Sequence, residues 1–156
     1  METEVLVRNL QPAPVDENRI AETAARSLRV EHFAKPAEIS IVLVDDPRIR
    51  VLNREYRGKD QATDVLAFSQ LEGEDFARGE GEKPALGDVV ISVETAARQA
   101  GERGLSLAEE LDLLVAHGVL HLLGYNDETA SGAAEMRRRE ALILESVNYG
   151  RTRETD

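Results

Sequence analysis

The chain has only three histidines, and two of them, His117 and His121, stand four residues apart in "HGVLHLLGYND", residues 117–127. On a helix such a pair lies roughly 40° apart around the axis, so the two imidazoles project side by side and can grip one ion. The zinc-binding helix of metalloproteases places a glutamate general base directly after its first histidine. Here that place is Gly118, which argues against peptide hydrolysis. The chain holds no cysteine, so a metal would be bound through histidine and carboxylate alone. Gly124 is placed to stop the helix, and "YND" must then turn back past the helix end, offering Asn126, Asp127 or Glu128 as an oxygen ligand. Two histidines and one carboxylate leave a fourth position open, the pattern of a catalytic zinc site. The same residues also admit plainer roles: histidines hydrogen-bonded at the edge of a core, and Asp127 as the N-cap of the next helix.

A second group with chemical potential is basic. Arg48, Arg50, Arg54, Arg57 and Lys59 fall within twelve positions of a chain whose formal net charge is -11. That charge excludes broad electrostatic attachment to nucleic acid or anionic lipid, but a local basic groove remains compatible with it. The stripe reads either as a track for phosphates or as a solvated helix face paired with Glu55 or Asp60. Asp88 either orients a histidine through its free ring nitrogen or satisfies a turn, and the turn is favoured.

The elements that must position these groups follow from periodicity. "TEVLVRN" alternates as a strand, and "VDENRIAETAARSLRVEHF" repeats apolar residues at helical spacing behind an acidic first turn. "EISIVLVD" is a second strand, and "DPRIRVLNREYR" opens with a helix-start signal and sets Ile49, Leu52 and Tyr56 on one face. "TDVLAFSQ" and "LGDVVISV" are two further strands, joined by the glycine- and glutamate-rich "LEGEDFARGEGEKPA", a solvated hairpin loop. A helix follows, stopping near Gly104. The central helix then begins at a capping box of Ser106 and Glu109, with Leu107, Leu111, Leu114, Val115, Gly118 and Leu122 as its apolar stripe. The last helix covers roughly 128 to 148. The expected architecture is a single α+β domain over 1–150, a mixed sheet of about four strands against about five helices, with a frayed tail at 151–156. The apolar runs are too short for a membrane helix and the opening residues do not form a secretory signal, so a soluble, cytoplasmic protein is expected.

At "HGVLHLLGYND" the chain resembles the YbeY endoribonucleases, factors of ribosomal RNA maturation, whose signature is H-G-x-L-H-L-x-G-Y-D-H. The likeness extends to "LNREYRGKDQATDVLAFS", residues 52–69, and to the "LGD-x-x-I-S" strand from Leu86 to Ser92. The resemblance implies that His117 and His121 are zinc ligands and that Asp127 holds the place of the family's third histidine. Asn126 likewise stands where the family has aspartate. A carboxylate is a competent zinc ligand, although its charge acidifies bound water less than a third imidazole would. Arg57 falls where the family has a catalytic arginine, and its planar guanidinium suits a phosphate. Asn53, Thr63 and Asp64 lie in the same segment and are read as scaffold. Arg137, Arg138 and Arg139 cover too much of a helix circumference to face the metal together, so solvent exposure or a ribosomal contact is expected. The implied activity is zinc-dependent cleavage of single-stranded RNA, a ribosomal RNA precursor, with small-subunit proteins or an assembly GTPase as partners. The rival is a ribosome-assembly binding factor with a structural metal and little nuclease activity. A hydrolase of another phosphate ester is a third reading.

Overall fold

A computed structural model describes residues 3–70 and 84–147. The glycine- and glutamate-rich connection, up to residue 83, and the 151–156 tail lie outside them. Among the described residues the order is β1 (Thr3–Asn9), α1 (Glu17–Val30), β2 (Ala37–Val44), α2 (Asp46–Arg57), β3 (Val65–Ser69), β4 (Ala85–Ser92), α3 (Val93–Arg103), α4 (Leu107–Leu122) and α5 (Ala130–Val147). The sheet runs β1-β2-β4-β3, with β1, β2 and β4 parallel and β3 antiparallel to β4, so the expected mixed sheet of an α+β fold is present. No helix among the described residues is long and apolar enough to cross a membrane.

Side-chain alternation along the strands divides the core. Ile39, Ile41 and Leu43 of β2, with Val89 and Ile91 of β4, meet Ile20, Ala24 and Leu28 of α1 and the stripe of α4. Val44, Leu66 and Val90 meet Ile49 of α2 in a smaller cluster of their own, as the period of two along a strand requires. A third cluster joins Ala116 and Leu120 of α4 to Met136 and Ile143 of α5. The central helix is therefore covered by the sheet on one side and by α5 on another, and its sequence is correspondingly apolar beyond one stripe.

Local signals fix the ends. Asp16, Asp45, Ser92 and Ser106 each accept a backbone N–H of the helix they precede, and Ser106 with Glu109 forms the anticipated capping box. The last helix begins two residues later than expected, at Ala130, because Thr129 caps it: the Thr129 hydroxyl accepts the Gly132 N–H at 3.0 Å. Two charged residues of α4, Glu110 and Asp112, are fully buried. Each is met by an arginine of a neighbouring helix, Arg103 at 3.1 Å and Arg19 at 2.8 Å, so the pairs tie α4 to α3 and α1.

Candidate metal centre and its clefts

Gly118 explains how the histidine pair is placed. A Cβ at this position would lie 2.5 Å from Val89 Cγ1, so only glycine lets α4 settle this closely on β4. With that face pressed to the sheet, His117 and His121 come to the adjacent, half-buried flank. Their rings meet edge to face at a centroid distance of 4.7 Å, and their Nε2 atoms lie 3.2 Å apart.

The chain reverses directly after the pair. Gly124 adopts φ 107°, the Tyr125 N–H donates back to the Leu120 carbonyl at 3.1 Å, and the Tyr125 hydroxyl anchors the turn on Glu31 at 2.8 Å. Asn126 Oδ1 then accepts the Glu128 N–H at 3.0 Å, an Asx turn that occupies the asparagine. Because Thr129 rather than Asp127 caps α5, the Asp127 carboxylate is left exposed, with Oδ2 3.8 Å from His117 Nε2. One ligand atom from each of His117, His121 and Asp127 lies within 4.8 Å of the others.

Glu140 was not singled out in the sequence. It projects from α5 and accepts the His117 Nδ1 proton at 2.5 Å, which fixes the tautomer and leaves Nε2 as the free donor atom facing His121 and Asp127. Its signal was present: Glu140 lies between Met136 and Ile143, the buried positions that α5 turns toward α4. Burial alone would lower the His117 pKa, but the hydrogen bond to Glu140, with the charges of Glu140, Asp127 and Asp64, raises it. His121 moves the other way, pushed down by burial and by its neighbour His117. The donor set of two imidazole nitrogens and a carboxylate oxygen, with one imidazole oriented by a second carboxylate, suits zinc or a similar divalent ion.

Two clefts meet at this cluster. The larger, about 600 Å³, runs from Tyr56 and Arg57 at the end of α2, along β3, to His117, His121 and Asp127. The smaller, about 390 Å³, shares His117, Asp64 and Asp127 and continues to Arg103 and Arg137. The basic stripe is thereby divided. Arg50 and Arg54 are drawn to Asp60, at 2.8 and 3.8 Å, whereas Arg57 lines the histidine cleft and forms no ion pair among the described residues. Asn53 is buried and donates to the Gln61 carbonyl at 2.9 Å, holding the turn that follows Arg57.

Arg137 and Arg138 are exposed, as expected: Arg138 pairs with Glu135, and Arg137 borders the smaller cleft without an ion pair among the described residues, while Arg139 is half-buried against Glu31. One expectation is corrected. Asp88 neither satisfies a turn nor orients a histidine. It sits within β4 opposite Ser40 and Phe68, and burial, against a hydrogen bond from Ser40, raises its pKa.

The family model described as "Endoribonuclease YbeY" matches residues 7–148. An "Endoribonuclease YbeY" of Pelotomaculum thermopropionicum is 48% identical over 151 residues, spanning 94% of this chain and 99% of the relative. One of Moorella thermoacetica is 51% identical over 138 residues, 86% of each chain. The solution structure of a Thermotoga maritima protein superposes with a TM-score of 0.60 at 23% identity, over 92% of this chain and 88% of that one, a likeness of fold.

Proposed function

The chain belongs to the YbeY endoribonuclease family, and from that premise we propose that it is a zinc-dependent endoribonuclease that cuts single-stranded RNA during maturation of ribosomal RNA. The observation that carries the reading is the convergence, in one cleft of about 600 Å³, of a three-residue metal-ligand group and an arginine without an ion pair among the described residues. His117, His121 and Asp127 would hold the ion. When bound, a divalent ion of this kind polarises phosphate oxygens and acidifies water, which is what phosphodiester cleavage demands.

The chain's own residues supply the rest. Glu140 keeps the His117 ring turned with Nε2 inward. Arg57 lines the same cleft, where its planar fork can hold two phosphate oxygens and offset the charge that grows on them during cleavage. The Asn53 contact to the Gln61 carbonyl keeps the end of α2, and with it Arg57, in place. The rival, a binding factor with a purely structural metal, calls for a site closed by four protein ligands. Among the described residues only three such groups converge, which favours the catalytic reading.

Elemental analysis of the purified protein and cleavage of a single-stranded RNA test the proposal together. The His117→Ala/His121→Ala protein should lose both metal and cleavage. Arg57→Ala should keep its metal and lose about 10²- to 10³-fold in turnover, the cost of deleting one charge-stabilising donor. Metal retained by the double variant, or wild-type turnover in Arg57→Ala, would overturn it.

A further inference from the structure

Tyr56 is the most exposed large hydrophobic residue among those described, at 65% against 45% for Leu142, the next. It stands at the mouth of the histidine cleft, directly before Arg57 on the last turn of α2. Its ring is not loose. It meets Phe68 of β3 edge to face at 5.3 Å and 67°, and Phe68 is itself packed on the smaller core cluster. The contrast with Tyr125 is informative, because that hydroxyl is bonded to Glu31, whereas the Tyr56 hydroxyl has no hydrogen-bond partner among the described residues. An aromatic ring braced from behind and bare in front, beside a guanidinium suited to phosphate, has the form of a stacking platform in a single-strand binding groove.

We infer that Tyr56 stacks on the nucleobase of the nucleotide whose phosphate Arg57 contacts, and so selects RNA that is unpaired at the cut. A base enclosed in a duplex has both faces covered by its neighbours and cannot lie on the ring. The platform therefore discriminates by strandedness and little by base identity, since every base has a π-face. This inference rests on the endoribonuclease reading above and adds the feature by which that site recognises its substrate.

The test uses the purified, metal-containing protein and a short 2'-O-methyl RNA, intact or with a single abasic nucleotide scanned along it. For wild type, one abasic position should weaken binding by about 5- to 150-fold, the value of one stacked base. Tyr56→Leu, which keeps an apolar cover over Phe68, should bind the intact strand correspondingly weakly and lose nothing further at that position. Tyr56→Phe should bind as wild type. The chain has no tryptophan, so Tyr56→Trp introduces a single fluorophore, and its emission should be quenched by the intact strand but not by the abasic one. If wild type cuts the unmodified RNA while Tyr56→Leu binds within about twofold of wild type, Tyr56 merely covers Phe68 and the platform is wrong. If wild type neither binds nor cuts that RNA, the endoribonuclease reading itself fails.

Discussion

Asp127 and Thr129, two residues apart, share the work that the sequence left undivided. Both types are good helix caps, and either could have begun the last helix. The structure gives the cap to Thr129 and turns the Asp127 carboxylate toward His117. Thr129→Ala should therefore cost about 0.5–2 kcal/mol of stability, read from denaturant melts, with metal affinity unchanged. Asp127→Ala and Asp127→Asn should both weaken metal binding with little effect on stability, while Asp127→His should preserve binding through a third imidazole. Equal metal affinity in wild type, Asp127→Ala and Asp127→Asn would remove Asp127 from the ligand set. Glu140→Gln keeps an acceptor for the His117 Nδ1 proton but loses its charge, so metal affinity should fall by about 10- to 100-fold in titration. An unchanged dissociation constant would mean that the hydrogen bond from His117 is incidental.

At the scale of elements, the positions of α4 and α2 decide whether the candidate ligands and Arg57 share one cleft. For Gly118→Ala, two effects oppose. Alanine gains about 1 kcal/mol in helix propensity over glycine, and a methyl group driven against Val89 costs about 1–3 kcal/mol. Val89 is buried and β-branched and its nearest methyl would be 2.5 Å away, so the clash should win and Gly118→Ala should melt lower. Adding Val89→Ala should lower the melt by less than the sum of the two single variants, because the clash is with that side chain. Additive losses would place the strain elsewhere. The start of α2 is tied to α3 by Asp46, which accepts the hydroxyls of Ser92 at 2.6 Å and Thr95 at 2.7 Å. Burial alone would raise its pKa, but those bonds and Arg98 hold it below the ordinary 3.8. A depressed carboxylate contributes stability above its unfolded pKa and loses it as pH falls through the lower folded value. Wild type should thus exceed Asp46→Asn by about 1–3 kcal/mol near neutral pH, a margin that urea melts should show narrowing below about pH 4. A margin independent of pH would assign the effect to shape rather than charge. Periodicity and caps made these elements legible, with the strands, the central helix and its stripe where the pattern placed them. The partner that Glu140 meets and the separation of Arg137 from its neighbours were not legible. They depend on how α5 lies across α4, which a periodic pattern within one helix does not encode.

Over the whole molecule the question is how a chain of net charge -11 holds a polyanion. Its cations are mostly engaged near the site: Arg103 by Glu110, Arg50 and Arg54 by Asp60. The cluster itself adds Asp64, Asp127 and Glu140 around His117, an acidic surface whose charge a divalent ion held there would offset. Among the described residues that leaves Arg57 in the larger cleft and Arg137 in the smaller as the guanidinium groups available to phosphate on either side of the candidate ligand group. Binding through so few contacts has a measurable signature. Each phosphate neutralised on a single strand contributes about -0.7 to the slope of log K against log salt, so two contacts predict a slope of about -1.4. Arg137→Ala should bring it to about -0.7 while leaving metal content as in wild type, because Arg137 meets the strand and not the ion. A slope of about -2.8 would show that the outer cations Arg48 and Lys59 also carry the strand. An unchanged slope in Arg137→Ala would confine the RNA to the larger cleft. In either outcome the acidic remainder of the surface acts against indiscriminate binding, so affinity depends on the strand reaching the clefts where the free guanidinium groups are.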